Sequence, residues 1–245
     1  MHTPRLRNQT KKQSNIYTLG KLPKDIIISL SAELVYHYAC GYDDIAGDEI
    51  AKLFASSIDG VALNSPLGLA DILKDDCAFS VKSVKSKDPF GAKSVRIISG
   101  RCSPDYSYGI SDPHADISST GAAVLNIYNE RINIAKEKAR ELRTSIFVRD
   151  FRTLSFCFFE FDAHRYNISD YIWQENKNGN LEGYDCSTDE HKFTWQPHGS
   201  QFTIIYKVPK NAIKWRIKLP QRINKIDFLK QINFNENWVK VFENI

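Results

Sequence analysis

Apolar residues recur along the chain with two alternating periods. From Asp25 to Tyr38, Ile26, Ile27, Leu30, Leu34 and Tyr38 fall at three- and four-residue steps, which predicts a helix that Gly41 closes. A second helix starts near Gly47-Asp48-Glu49, with Asp48 as its cap. Its stripe is Ile50, Leu53, Phe54 and Ile58, and Asp59-Gly60 ends it. The period then drops to two. Residues Gly68 to Lys85 read as two short strands around the polar turn Lys74-Asp75-Asp76. Along the second strand Ala78, Ser80, Lys82 and Val84 share a face, and Asp71 lies on the first. Ser94 to Ser99 is a third strand, and 102–120 reads as a long polar loop. Ala122 to Leu142 is the most regular helix, with Leu125, Tyr128, Ile132, Ala135, Ala139 and Leu142 as its stripe. Strands follow at Thr144–Arg149 and Leu154–Phe161. Phe156, Phe158, Phe159 and Phe161 make the second of these apolar on both faces. Asn178-Gly179 is a hairpin turn signal. Ile213 to Leu219 alternates strictly, so Ile213, Trp215, Ile217 and Leu219 face a core while Lys214, Arg216 and Lys218 face out. The expected fold is α/β, a central mixed sheet flanked by helices. No boundary splits residues 1–245, so a single domain is expected, with a basic N-terminal arm over about 1–24.

Composition narrows the setting. With 245 residues and 42% of them hydrophobic, the chain has enough apolar surface for a substantial core and is not disordered. Cys40, Cys77, Cys102, Cys157 and Cys186 are scattered, with no C-x-x-C pair. This argues against a zinc or disulfide framework and for a reducing, cytoplasmic location. No apolar run approaches the ~20 residues of a membrane span, and no signal core opens the chain, so no membrane association is expected. The net charge of +4 says little, but its distribution says more. Arg5, Arg7, Lys11, Lys12, Lys21 and Lys24 all precede the first acid, Asp25: either a solvated terminus or an arm along a phosphate backbone. From His191 to Ile226 there is no acid at all. Lys214, Arg216 and Lys218 stand together on one strand face there, which is either a lysine-guarded edge or a phosphate-binding surface.

The hairpin carries the chemistry. Asp71 and Lys82 are delivered close together on adjacent strands, and a metal-dependent phosphodiester hydrolase needs that pairing. The carboxylate holds a hard cation, and the lysine stabilises charge or orients the attacking water. A surface hairpin with a solvated lysine is the plain alternative. Asp71 followed by Ser80-Val81-Lys82 resembles the PD-(D/E)xK nuclease motif of many type II restriction endonucleases. Ala70 replaces the frequent proline and Ser80 the usual acid. Some restriction enzymes with Ser-x-Lys supply the missing carboxylate from a helix.

The resemblance spans about residues 48 to 131 and implies a restriction-endonuclease-like core. It implies Mg2+ as cofactor, Asp71 as metal ligand, Lys82 and Ser80 in the catalytic site, and Glu49 or Glu130 completing it. Glu49 is the metal-ligand candidate, from the helix before the first catalytic strand. Both glutamates also read simply, Glu49 as a helix-dipole partner and Glu130 as a surface charge. A sequence-specific endonuclease on double-stranded DNA, acting as a homodimer, is the implied function. Gln196, His198 and Gln201, on a turn-rich aromatic stretch, and Arg101, after the third strand, are candidate DNA contacts; an ordinary connecting loop is the alternative. Two other functions stay open: a non-catalytic nucleic-acid-binding protein, and a repair or recombination nuclease without strict specificity.

Overall fold

A computed structural model describes residues 16–242, without the side chains of 65–67. Of the basic arm, Lys21 and Lys24 fall inside it, whereas Arg5, Arg7, Lys11 and Lys12 lie outside the described residues. Helices α1 (Lys24–Ala39) and α2 (Gly47–Ser57) lead into three strands, β1 (Val61–Leu67), β2 (Ala70–Lys74) and β3 (Cys77–Lys85). Then come β4 (Ser94–Arg101), the short α3 (Pro104–Tyr108) and the long α4 (Ile117–Lys138). Strands β5 (Glu141–Asp150) and β6 (Ser155–Asp162) follow. After them come β7 (Tyr171–Glu175), β8 (Leu181–Asp185), β9 (His191–Gln196) and β10 (Gln201–Lys207). The edge strand β11 (Ile213–Arg216) and helix α5 (Lys225–Gln231) complete the order.

The fold is α/β. One sheet has six strands in the order β1-β2-β3-β5-β6-β11, and β3 and β5 run parallel within it, joined through α4. A second sheet has five strands, β4-β10-β9-β8-β7, all antiparallel. The six-stranded sheet separates two cores. On one side α1 and α2 pack Leu30, Leu34, Ile50 and Phe54 against Phe79, Phe147 and Phe158. On the other, α4 lies between the sheets and packs Leu125, Tyr128 and Ile132 against Leu142, Ile146, Phe193 and Phe202. Strand β6 serves both cores, as its phenylalanines require: Phe156 and Phe158 face α2, while Phe159 and Phe161 face the second sheet.

Three expectations shift. α4 begins earlier than its stripe suggests, because the Asp116 carboxylate accepts the Ser119 N–H at 3.0 Å and caps it there. It also ends earlier. The Glu141 N–H donates to Asp76 O at 3.0 Å and draws the chain into the sheet, so Leu142 packs from β5 and not from a helix. The 102–120 stretch is not all loop, since α3 and the first turn of α4 lie in it. β11 is shorter than the alternation: Ile213 to Arg216 pair with Phe158 to Ser155, and β6 offers no partner beyond. Ile213, Trp215 and Ile217 pack inward as expected, but Leu219, past the end of that pairing, is exposed.

Candidate active site

The β2–β3 hairpin is tight. Asp75 and Asp76 turn the chain, with Asp75 in the left-handed region at φ 48°, where aspartate is among the better tolerated residues. Ile72 pairs with Phe79, which sets Asp71 opposite Ser80. Phe79 and Val81 pack toward α2, so Ser80 and Lys82 are directed to the α4 side. There Asp71 Oδ2 accepts the Lys82 ammonium at 3.0 Å and the Val81 N–H at 2.8 Å. Oδ1 has no hydrogen-bond partner among the described residues. The two side chains are 22% and 21% exposed, accessible to a ligand yet shielded enough for their charges to matter. Ser80 is buried beside them. Lys82, Ser83, Val84 and Lys85 form one wall of a 260 Å³ cleft, and Arg96, Ile97 and Ile98 of β4 form the other. The pair thus sits where the two sheets meet.

One residue that sequence reasoning passed over frames this corner. Arg131, beside the candidate Glu130, donates from Nη1 to Ser99 O at 2.9 Å and from Nη2 to Gly68 O at 3.3 Å. It ties α4 to β4 and to the turn that delivers β2. Both contact points need glycine: Gly68 (φ 61°) would place a Cβ 2.2 Å from Arg131 O, and Gly100 (φ 123°) would place one 2.3 Å from Arg131 Nη1. Two glycines about 30 residues apart were the sequence signal, but nothing linear connects them to one arginine.

Neither candidate glutamate is joined to Asp71 by a hydrogen bond. Glu49 Oε2 accepts the Ala46 N–H at 3.0 Å and caps α2, whose buried residues pack on the opposite face of the sheet. The cap position is thus Ala46, with Asp48 in the first turn. Glu130 is exposed on α4, where Asn133 Nδ2 donates to it at 2.9 Å. Among the described residues no group of three His, Cys, Asp or Glu side chains could hold a metal ion.

The candidate DNA contacts divide into two groups. Arg101 pairs with Gln201 and Gln201 with Gln196, while His198 lies in the short turn between β9 and β10. Those four residues therefore cluster at one end of the second sheet. The others lie along β11, remote in topology. Lys214 Nζ donates to Phe90 O at 2.7 Å; Arg216 donates to Ser155 Oγ at 2.9 Å and lies 5.4 Å over the Phe90 ring. Lys218 is exposed and makes no hydrogen bond among the described residues.

A second acid–base network also escaped the sequence reading. Glu160, with its side chain fully buried, accepts from Tyr17 Oη at 2.9 Å, Ser145 Oγ at 2.9 Å, the Gly20 N–H at 3.0 Å and Arg143 at 3.5 Å. Burial and the adjacent Glu160 charge hold the Tyr17 hydroxyl well above its ordinary pKa. Every oxygen of Glu160 is thereby spoken for, and the network fastens residues 17–20 to β5 and β6. Set against known proteins, the chain matches no family model, no curated protein and no solved structure.

Proposed function

We propose that the protein is a magnesium-dependent endonuclease of double-stranded DNA, of the sequence-specific restriction type, with Asp71 and Lys82 at its centre. What carries the reading is the Asp71–Lys82 contact at 3.0 Å, made by adjacent strands at the mouth of a cleft and leaving one carboxylate oxygen free. Lys82 would donate to a non-bridging phosphate oxygen as charge develops there, and a preorganised donor of that kind contributes ~10²–10³ in rate. Asp71 would hold the ion through Oδ1. Magnesium usually keeps several waters and takes one or two carboxylates together with substrate phosphates, so a single carboxylate meets the lower end of its needs. When bound, the ion supplies Lewis-acid stabilisation of phosphate charge. Ser80 provides no carboxylate, and its position beside Asp71 is the departure from the motif that weakens the metal site. Arg101, Gln196, His198 and Gln201 are the candidate base readers, and Lys214, Arg216 and Lys218 the candidate phosphate contacts.

One observation favours a second reading, a non-catalytic DNA-binding protein: no further acid gathers at Asp71, whose Oδ2 is already paired with Lys82. Incubation with supercoiled plasmid and Mg2+ separates the two. Discrete fragments support the restriction reading and a smear supports a nonspecific nuclease. A mobility shift without cleavage leaves the binder.

A further inference from the structure

Two apolar surfaces on one side of the molecule have nothing over them. α1 is apolar on all sides. Leu30 and Leu34 are buried, but Ile28 (58% exposed), Ala32 and Tyr36 (60%) form an outward stripe at four-residue spacing. A helix of that kind belongs in an interior. The second surface is the segment after β11. There Ile223, Ile226, Phe228, Phe234, Trp238 and Phe242 are all exposed, and α5 buries no residue. An isolated helix below ~12 residues is marginal in water, so the 7 residues of α5 need packing from elsewhere. The two surfaces adjoin. Arg222 donates to Tyr38 O at 2.7 Å and lies 3.9 Å over the Tyr38 ring, and the Ile223 N–H donates to Ala39 O at 2.8 Å.

We propose that this joint patch is an interface with a second copy of the chain, the α1 stripe of one protomer packing on the 223–242 segment of its partner. A two-fold interface is self-complementary, so one patch must carry both halves. This patch does. It holds an apolar helix face beside an apolar segment, and Asp25 and Glu33 on α1 beside Lys225 and Lys230 on the segment. None of these four is ion-paired among the described residues. Its size is adequate. Large aromatic side chains bury ~150–250 Å² each, so the exposed groups approach the ~800 Å² per partner of a standard interface. A phosphate backbone cannot cover such a surface, because it offers charge and not apolar area.

The inference stands on these surfaces and does not depend on nuclease activity. Its test reads mass. Light scattering and sedimentation of the full chain across the micromolar range should give a dimer. Ile28→Glu with Tyr36→Glu should return a monomer, and so should Phe228→Glu with Trp238→Glu, each with unchanged circular dichroism. Mixing the two variants should restore part of the dimer, because one α1–segment contact is then intact. A wild-type monomer at every concentration, whatever else lies over α1, overturns the proposal. A dimer that survives both variants overturns it too, and so does a mixture that stays monomeric. An inert enzyme that dimerises in this way leaves the interface standing.

Discussion

Two carboxylate–cation pairs lie on neighbouring strands of the same sheet, and they are finished differently. Glu160 on β6, with Arg143 on β5, is fully buried and accepts four hydrogen bonds. Asp71 on β2, with Lys82 on β3, is partly exposed, and one oxygen carries both of its hydrogen bonds. A carboxylate whose lone pairs are all committed to protein donors can only hold structure. One with an open oxygen at a cleft can take a ligand without breaking what holds it. The charge type is common to both pairs; the unfilled valence separates a girder from a candidate site.

The largest expected effect tests the open pair. Asp71→Asn and Lys82→Ala should each lower plasmid cleavage by ~10²–10³ or more while leaving the thermal midpoint almost unchanged. Wild-type cleavage by both variants would remove them from the site. The closed pair should respond the other way. Glu160→Ala strands the Arg143 charge in the interior and should cost ~3–5 kcal/mol, lowering the midpoint by on the order of 10 °C in a scanning experiment. A small shift there would mean that water enters the network.

The pH response sharpens the contrast. Burial and the Glu160 charge raise the Tyr17 pKa in the folded chain above the ~10 of an unfolded tyrosine. The folded state therefore retains a proton that the unfolded state loses. The stabilisation is fully present below pH ~10 and is lost as pH rises past it, by at most ~1.4 kcal/mol per pH unit for this group. Cys77, pushed up by burial to about 12, loses its share in the same direction. Urea midpoints measured at pH 8 and pH 10.5 should show a steeper fall for wild type than for Tyr17→Phe. Equal falls would mean that Tyr17 is not held neutral by this network.

The smallest effect carries the same distinction to β11. Lys218 is free, whereas Lys214 and Arg216 already have protein partners. If that face binds DNA phosphates, Lys218→Ala should flatten the salt dependence of duplex binding by roughly 0.9 in log–log slope, and Lys214→Ala by less. Identical slopes for wild type and Lys218→Ala would leave Lys218 merely solvated.

The hairpin was legible because its evidence is local: a period-two pattern and a polar turn fix which side chains share a face, and Asp71 meets Lys82 as that pattern requires. α1 and α2 were legible for the same reason. Arg131 and the Glu160 network were not, because each joins segments 30 to 140 residues apart that only the folded sheet brings together. The second sheet was illegible as a unit, since β4 pairs with β10 across the whole of α4, β5 and β6. Glu49 and Glu130 were chosen by residue type; their hydrogen bonds are to their own helix ends and neighbours.

Strand β3 divides its residues by parity. Odd-numbered Cys77, Phe79 and Val81 insert among the aromatic rings beside α2, while even-numbered Ser80 and Lys82 line the cleft. A single codon inserted at Asp75-Asp76 would exchange the two sets, driving an ammonium into phenylalanine and turning phenylalanine out to water. Two inserted codons would restore the order. The hairpin thus has a reading frame of its own, and any drift in turn length that this lineage tolerates must come in pairs.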